Sequence, residues 1–296
     1  MAHHRTSRRR DELVAGSVAG ASTVAVLYPL DVIKTRLQVQ DGSERVSLGF
    51  WEMGKALWRS GARTLYSGLG PSMLGASIAW GSYFYCYRWS KDRRRRNGAP
   101  LSSMDHLMSG LEAGAVVSIV TNPVWVVKTR LQLQDRMPGS GVKAYDGAID
   151  CLRSIAREEG VAGLYRGLLP SLLLVSHGAI QMAVYERLKK LGIGEDNHAA
   201  VVFTSHGVCG ALAKGSATMA TYPFQVMRSR MQQRLDNRAL KYRGLASSMR
   251  LTLRREGVLG LYKGLGANLL RNMPSSAITF LVYEAVLSLI SSSGSR

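Results

Sequence analysis

The chain has 296 residues, a formal net charge of +19, 46% hydrophobic residues and three cysteines. Such a surplus suits a nucleic-acid binder or a protein facing acidic lipid, but the short runs at Arg5, Arg8 to Arg10 and Arg93 to Arg96 are not set on an aromatic-studded face, which argues against nucleic acid and fits anionic headgroups. Cys86, Cys151 and Cys209 match no zinc or disulfide pattern, and the absence of a nucleophile–base set, metal-spaced ligands or a phosphate-cradling glycine loop excludes an obvious enzyme.

Residues 1–10 read as a basic tail, without the apolar core or cleavage pattern of a secretory signal and with little to mark a transit peptide. Leu13 to Tyr28 is uncharged and rich in small residues, with Gly16 and Gly20 four apart, a spacing that lets another backbone approach closely. Pro29 removes a backbone donor and bends the run, yet Val32, Ile33 and Leu37 carry the helical pattern on, so one kinked helix is expected over 13–39. Segment 46–60, with Phe50, Met53, Leu57 and Trp58 at helical spacing, reads as a short amphipathic surface helix. The stretch from Gly61 to Gly68 turns the chain, and Leu69 to Trp89 is long enough to span a bilayer.

The same order then recurs twice. Gly110 and Gly114 precede Pro123 as Gly16 and Gly20 precede Pro29; Gly210 keeps the first of these slots before Pro223, and Lys214 replaces the second glycine. Surface helices are expected over 145–159 and 242–256, turns from Gly160 to Gly167 and from Gly257 to Gly264, and second spans over 168–185 and 265–290. Short linkers fall at 92–103 and 191–198. The expected architecture is all-α, with six membrane-spanning helices in three tandem repeats of pseudo-threefold symmetry: 11–98, 99–194 and 195–296, one domain in all.

Each repeat carries one motif: Pro29-Leu-Asp-Val-Ile-Lys34-Thr-Arg36-Leu-Gln38, Pro123-Val-Trp-Val-Val-Lys128-Thr-Arg130-Leu-Gln132 and Pro223-Phe-Gln-Val-Met-Arg228-Ser-Arg230-Met-Gln232. With the turn Gly-x-x-x-Leu-Tyr-x-Gly that follows each copy, it resembles the signature of the mitochondrial carrier family, and the resemblance covers nearly the whole chain. Within that family the stretches Asn122 to Gln134, Ser176 to Gln181, Thr221 to Gln225 and Ala267 to Pro274 are most similar to the folate carriers, of the plant plastid kind, and their FAD-transporting relatives.

Kinks at Pro29, Pro123 and Pro223 would bring Asp31, Lys34, Lys128 and Arg228 together at the bottom of a cavity, where unpaired charge at membrane depth is costly and paired closure supplies energy that opening must remove. Arg36, Arg130 and Arg230 are sufficiently explained as helix-ending cations that contact phosphates. The resemblance implies a matrix gate in which Asp31 pairs with Lys128. Trp125 can offer Arg228 only its ring face, for about 0.5–2 kcal/mol; Gln225 can only hydrogen-bond Lys34, and Gln38, Gln132 and Gln232 act as braces. It also implies a cytoplasmic gate on the even helices, where Tyr185-Glu186-Arg-Leu-Lys189 is complete but only Glu284 and Lys91 find partners round the ring, so this gate should be weak.

For the substrate site, Trp80 near mid-span either anchors at the lipid interface or offers an indole for a flat heteroaromatic ring, and His177 and Gln181 lie four apart on one helix face. Arg271 is a deep cation suited to a carboxylate or phosphate. Glu112 and Lys214, shared with folate-like carriers, either pair across the cavity or bind substrate. The expectation is thus a monomeric multi-pass carrier of anionic pterin compounds in the mitochondrial inner membrane, or alternatively the chloroplast envelope. Its three surface helices lie on the matrix side against anionic lipid such as cardiolipin, and it has no nucleic-acid partner. No cofactor is expected: folate, or alternatively FAD, NAD or a pyrimidine nucleotide, would be cargo.

Overall fold

The computed structural model describes residues 2–40, 48–95, 101–134, 144–190, 199–234, 242 and 244–293, the side chains of 2–14, 103, 199–207, 273, 276 and 290–293 excepted. The linker 191–198, residues 96–100 of the other linker and the side chains of the basic tail lie outside the described residues. The first repeat contains α1 (Ala2–Val39), α2 (Phe50–Arg59), α3 (Ala62–Leu65) and α4 (Leu69–Arg94). The second contains α5 (Ser103–Leu133), α6 (Ala148–Glu158), α7 (Gly160–Leu164), α8 (Leu168–Leu174) and α9 (Ser176–Lys190). The third contains α10 (Ala199–Met231), α11 (Leu245–Glu256), a 3-10 turn (Val258–Tyr262) and α12 (Leu265–Ser293).

Two helices differ from expectation. Helix α1 extends back to Ala2, through residues read as a tail. The second span of repeat two is divided at Val175, whose N–H bonds the Leu172 carbonyl at 3.1 Å while Ser176 Oγ donates to the Leu173 carbonyl at 2.7 Å. Those short-range bonds tighten the ladder locally. All three motif prolines sit inside continuous helices. Among the described residues, three stretches, Ala15–Val39, Met104–Leu133 and Gly160–Lys190, are both long and apolar enough to cross a membrane by composition alone. Helices α4, α10 and α12, of 26, 33 and 29 residues, have the length required.

The long helices pack in pairs, α1 along α12, α4 along α5 and α8–α9 along α10, while α1 also meets α5 and α10. The buried stripes of the odd helices use small residues 14 and 10 positions before the proline: Ala15 and Ala19, Ser109 and Ala113, Cys209 and Ala213. The glycines one position later do not carry the packing expected of them. A Cβ at Gly16, Gly20 or Gly210 would meet nothing within 4 Å, because one residue turns the helix about 100° away from the interface. Gly114 is different: its Cβ would lie 2.5 Å from Val175 Cγ1.

Apolar cores form in three places, each joining a motif helix to its surface helix or turn. Val32, Ile33 and Leu37 of α1 pack with Met53, Leu57 and Leu65; Val126, Val127 and Leu131 of α5 pack with Cys151 and Ile155; Val226 and Met227 of α10 pack with Leu261. Trp58, expected beside Met53 and Leu57, instead points outward at 78% exposure. Burial pushes the Cys151 thiol up to about 12, which makes it a structural residue and an unreactive one.

Both end glycines of every turn, Gly61 and Gly68, Gly160 and Gly167, Gly257 and Gly264, adopt positive φ. The second of each pair lies against the motif helix of the next repeat: Cβ atoms at Gly68, Gly167 and Gly264 would lie 3.1, 3.2 and 3.1 Å from the carbonyls of Lys128, Arg228 and Lys34. Gly264→Ala combines a left-handed backbone penalty of about 1–2 kcal/mol with that contact, so it should lower the unfolding temperature in detergent. Gly16→Ala, in a helix with open space around it, should hold or raise that temperature; equal unfolding of Gly264→Ala and wild type would refute the packing argument.

Candidate functional site

The three motif helices meet in a ring with one charged interface and two weaker ones. Between α1 and α5, Asp31 Oδ2 lies 2.7 Å from Lys128 Nζ and accepts from Gln132 Nε2 at 3.1 Å. Its other oxygen, Oδ1, lies 2.6 Å from Arg271 Nη1 of α12. Between α10 and α1, Lys34 Nζ donates to Gln225 Oε1 at 3.3 Å. Between α5 and α10 no acid stands among the described residues; the Arg228 guanidinium lies 5.5 Å from the centre of the Trp125 ring, which also has Lys128 Nζ at 5.2 Å. The Trp125 indole is fixed by its Nε1–H, which donates to Thr121 Oγ1 at 3.0 Å.

Under these unequal contacts runs an equal set that the sequence reading missed. The hydroxyl between the two motif cations donates to the next glutamine: Thr35 to Gln132 Oε1 at 2.9 Å, Thr129 to Gln232 Oε1 at 2.9 Å and Ser229 to Gln38 Oε1 at 2.8 Å. The residue before the proline ties the motif helix to its own turn, with Tyr28 donating to the Ser67 carbonyl, Asn122 to that of Leu164 and Tyr222 to that of Lys263, at 3.0, 2.8 and 3.1 Å. Gln132 and Gln38 each donate to one of those tyrosine hydroxyls, Tyr28 and Tyr222, at 3.1 Å. Repeat two has Asn122 in the tyrosine slot, and there Gln232 Nε2 and Asn122 Oδ1 are both buried without a hydrogen-bond partner. The repeated signal was visible: both slots are polar in all three copies.

Two of the second motif cations, Arg130 and Arg230, are buried away from any phosphate. The Arg130 and Arg230 side chains are 1% and 0% exposed, each forked onto a buried carboxylate, Glu159 and Glu256. Arg130 Nη2 reaches Glu159 Oε2 at 2.8 Å, and Arg230 Nη1 and Nη2 reach the two Glu256 oxygens at 2.6 and 2.9 Å. Their Nε atoms, like that of Arg36, bond the backbone of the next repeat, at the carbonyls of Gln232, Gln38 and Gln132. Bidentate geometry with the remaining donors satisfied is what permits charge to be buried so fully. The acids could have been found, since each immediately precedes the first turn glycine; repeat one has Ser60 there.

Above the ring lies a cavity of about 520 Å³ lined by residues of α4, α5, α8, α9 and α10, among them Tyr83, Gly110, Gly114, Ser118, Gly178 and Arg228. Trp80 is 64% exposed and stacks on Phe84 at 5.8 Å. His177 Nδ1 lies 3.0 Å from Thr221 Oγ1, so the ring is held against α10; Gln181 is half-buried and Lys214 exposed. Glu112 and Lys214 are not paired. Glu112 instead takes Ser90 Oγ at 2.6 Å, Arg93 at 2.7 Å and Arg94, so part of a run expected to face headgroups clamps α4 to α5. At the end of the bundle away from the ring, Lys91 Nζ sits 5.4 Å over the Tyr87 ring, and Glu186, Lys189 and Glu284 are exposed. No ion pair joins these four among the described residues.

Three repeats that each contribute a proline-bearing helix to one charged ring beneath a cavity define a pseudo-threefold membrane carrier. The chain belongs to the mitochondrial carrier family: the family model described as Mitochondrial carrier protein matches residues 8–98, 99–196 and 200–294. It is 42% identical to the chloroplastic folate transporter 1 of Arabidopsis thaliana over 295 residues, 95% of each chain. It is 39% identical to the mitochondrial nicotinamide adenine dinucleotide transporter 2 of the same plant, covering 92% of this chain and 77% of that one. It is 33% identical to the mitochondrial FAD carrier protein of Saccharomyces cerevisiae, covering 96% and 98%.

The Glu256 carboxyl, outside the membrane-spanning helices, is held below its usual range. Burial pushes the other way, and the hydrogen bonds from Arg230 and Lys263 outweigh it. A carboxylate with a depressed pKa stabilises the fold above its unfolded value of about 4.3, and that stability is lost as pH falls through the lower folded pKa. Glu256→Gln should leave Arg230 buried without its counter-charge, at a cost of about 3–5 kcal/mol, and should flatten the acid limb of the unfolding temperature against pH. An unchanged profile would show that the pair contributes nothing.

Proposed function

We propose that this protein is a carrier of folates, anionic pterin-containing solutes, which it moves across an organelle inner membrane by alternating access at one central site. The observation that carries the anionic reading is the charge at the cavity floor, where four cations, Lys34, Lys128, Arg228 and Arg271, stand against one carboxylate, Asp31, among the described residues. Folate is favoured over other anions by the 42% identity with a chloroplastic folate transporter. FAD, NAD and pyrimidine nucleotides are the second reading, supported by the FAD, nicotinamide adenine dinucleotide and pyrimidine nucleotide carriers among the relatives.

In this reading Asp31, Lys34, Trp125, Lys128, Gln225 and Arg228, braced by Gln38, Gln132 and Gln232, form a matrix gate that is closed. Lys91, Glu186, Lys189 and Glu284 form a cytoplasmic gate that is open. Trp80, Gln181, Lys214 and Arg271 serve the substrate, with His177 positioned from α10; Glu112 acts as a clamp between helices and leaves the cavity to Lys214. The mitochondrial inner membrane is the proposed location and the chloroplast envelope the alternative. The carrier works as a monomer, and a groove of about 500 Å³ beside α2 with Lys55 and Arg59 in its lining supports an anionic-lipid contact such as cardiolipin.

Reconstitution in liposomes, comparing uptake of folate, FAD, NAD and a pyrimidine nucleotide, tests the substrate. Folate should be taken up fastest, and failure of folate with success of another probe would transfer the assignment to that probe. Arg271→Ala should cut uptake by more than tenfold, and near-normal uptake would remove Arg271 from the site.

A further inference from the structure

We infer that Arg228 is the seat of the substrate's anionic group, binding a carboxylate or phosphate oxyanion at the interface between the second and third repeats. The inference rests on the reading of the protein as an anion carrier and adds the position at which the anion is held. Four cations stand at the level of the ring, and three are already engaged. Lys128 and Arg271 share the two oxygens of Asp31, and Lys34 donates to Gln225. Arg228 alone occupies an interface whose acidic slot holds an aromatic residue, and among the described residues it has neither a carboxylate nor a hydrogen-bond acceptor.

A cation at membrane depth is costly until it meets an anion or water. A ring face compensates it less well than a charge-assisted pair of parallel hydrogen bonds, for which the planar guanidinium fork is built. The same side chain lines the 520 Å³ cavity, together with Gly178, where a Cβ would meet nothing within 4 Å. One helical turn beyond Arg228, Gln232 Nε2 is a second buried donor without an acceptor, so the orphaned donors of the ring gather at this one interface. Trp125 is held by Thr121 and stays beside the guanidinium as a wall. A substrate oxyanion on Arg228 would take the place that an acidic residue at position 125 would fill.

The substitution Trp125→Glu tests this directly, because it supplies an internal carboxylate and keeps every cation. In proteoliposomes of the full chain, using whichever of folate, FAD, NAD or UTP the wild type transports, Trp125→Glu and Arg228→Gln should each raise KM at least tenfold. Arg228→Lys, which keeps the charge and loses the fork, should fall between. A residue that only latches the ring would alter the maximal rate and leave KM in place, so wild-type KM in Trp125→Glu and Arg228→Gln overturns the assignment. Transport of NAD but not folate would end the folate reading while leaving this test intact. If none of the four is transported, each is assayed as a protectant against thermal unfolding in detergent. Protection of the wild type that is lost in Arg228→Gln supports the site; equal protection of both proteins, or none of either, overturns it.

Discussion

The carboxylate of Asp31 is the point on which the closed end of this bundle depends. It receives Lys128 and Gln132 from α5 and Arg271 from α12, so one side chain on α1 holds both neighbouring helices. Two unit charges about 4 Å apart attract by about 4 kcal/mol at an effective dielectric of 20. The Lys34–Gln225 contact, with a neutral acceptor, is worth about 1.5–3 kcal/mol, and the Trp125–Arg228 contact about 0.5–2 kcal/mol. Closure is therefore concentrated at one of three interfaces, although the backbone repeats three times.

What repeats faithfully is the framework beneath the charges. The hydroxyl-to-glutamine bonds, the pre-proline ties to the turns and the arginine Nε bonds to the next repeat are present in all three copies. These groups fix the motif helices in register through neutral or paired contacts, and variation in them is confined to polar residues that keep the bond, Asn122 for tyrosine and Ser229 for threonine. The slot two residues after the proline is free to vary, since it projects to the ring from a backbone held by other means. Symmetry belongs to the scaffold, and the uneven charge to its exceptions.

Much of this was legible from spacing. Three copies of a proline with cations five and seven residues later imply three helices meeting at one level, and pairing of Asp31 with Lys128 follows from that geometry together with the family resemblance. The Arg271 contact was not legible, because its 240-residue separation from Asp31 is bridged only once α12 is packed against α1. The fate of Gly16 and Gly20 was lost for a different reason: a pattern of four fixes a helix face but not its rotation, and Ala15 and Ala19 one residue earlier take the interface. Glu112 was misjudged because Arg93 and Arg94 read as a solvated run, while the end of α4 carries them within reach of α5.

The two ends of the bundle differ in the same sense as their charges. At the ring, cations outnumber acids among the described residues and Asp31 is engaged by two of them; at the far end Glu186 and Glu284 are exposed and Lys91 rests over the Tyr87 ring. A ligand shifts such a two-state balance only by the difference between its affinities for the two states. In the proposed cycle, tight binding to the cavity as it stands would hold the ring closed, so a transported anion would have to gain contacts as the helices part. An anion that draws Arg271 from Asp31, or binds Arg228 where Trp125 offers only its ring, makes that gain at the interfaces that must separate. With Arg271 drawn away, Asp31 would keep one of its two cations, and the framework of glutamines and hydroxyls would be left to set how far the helices move in the proposed cycle.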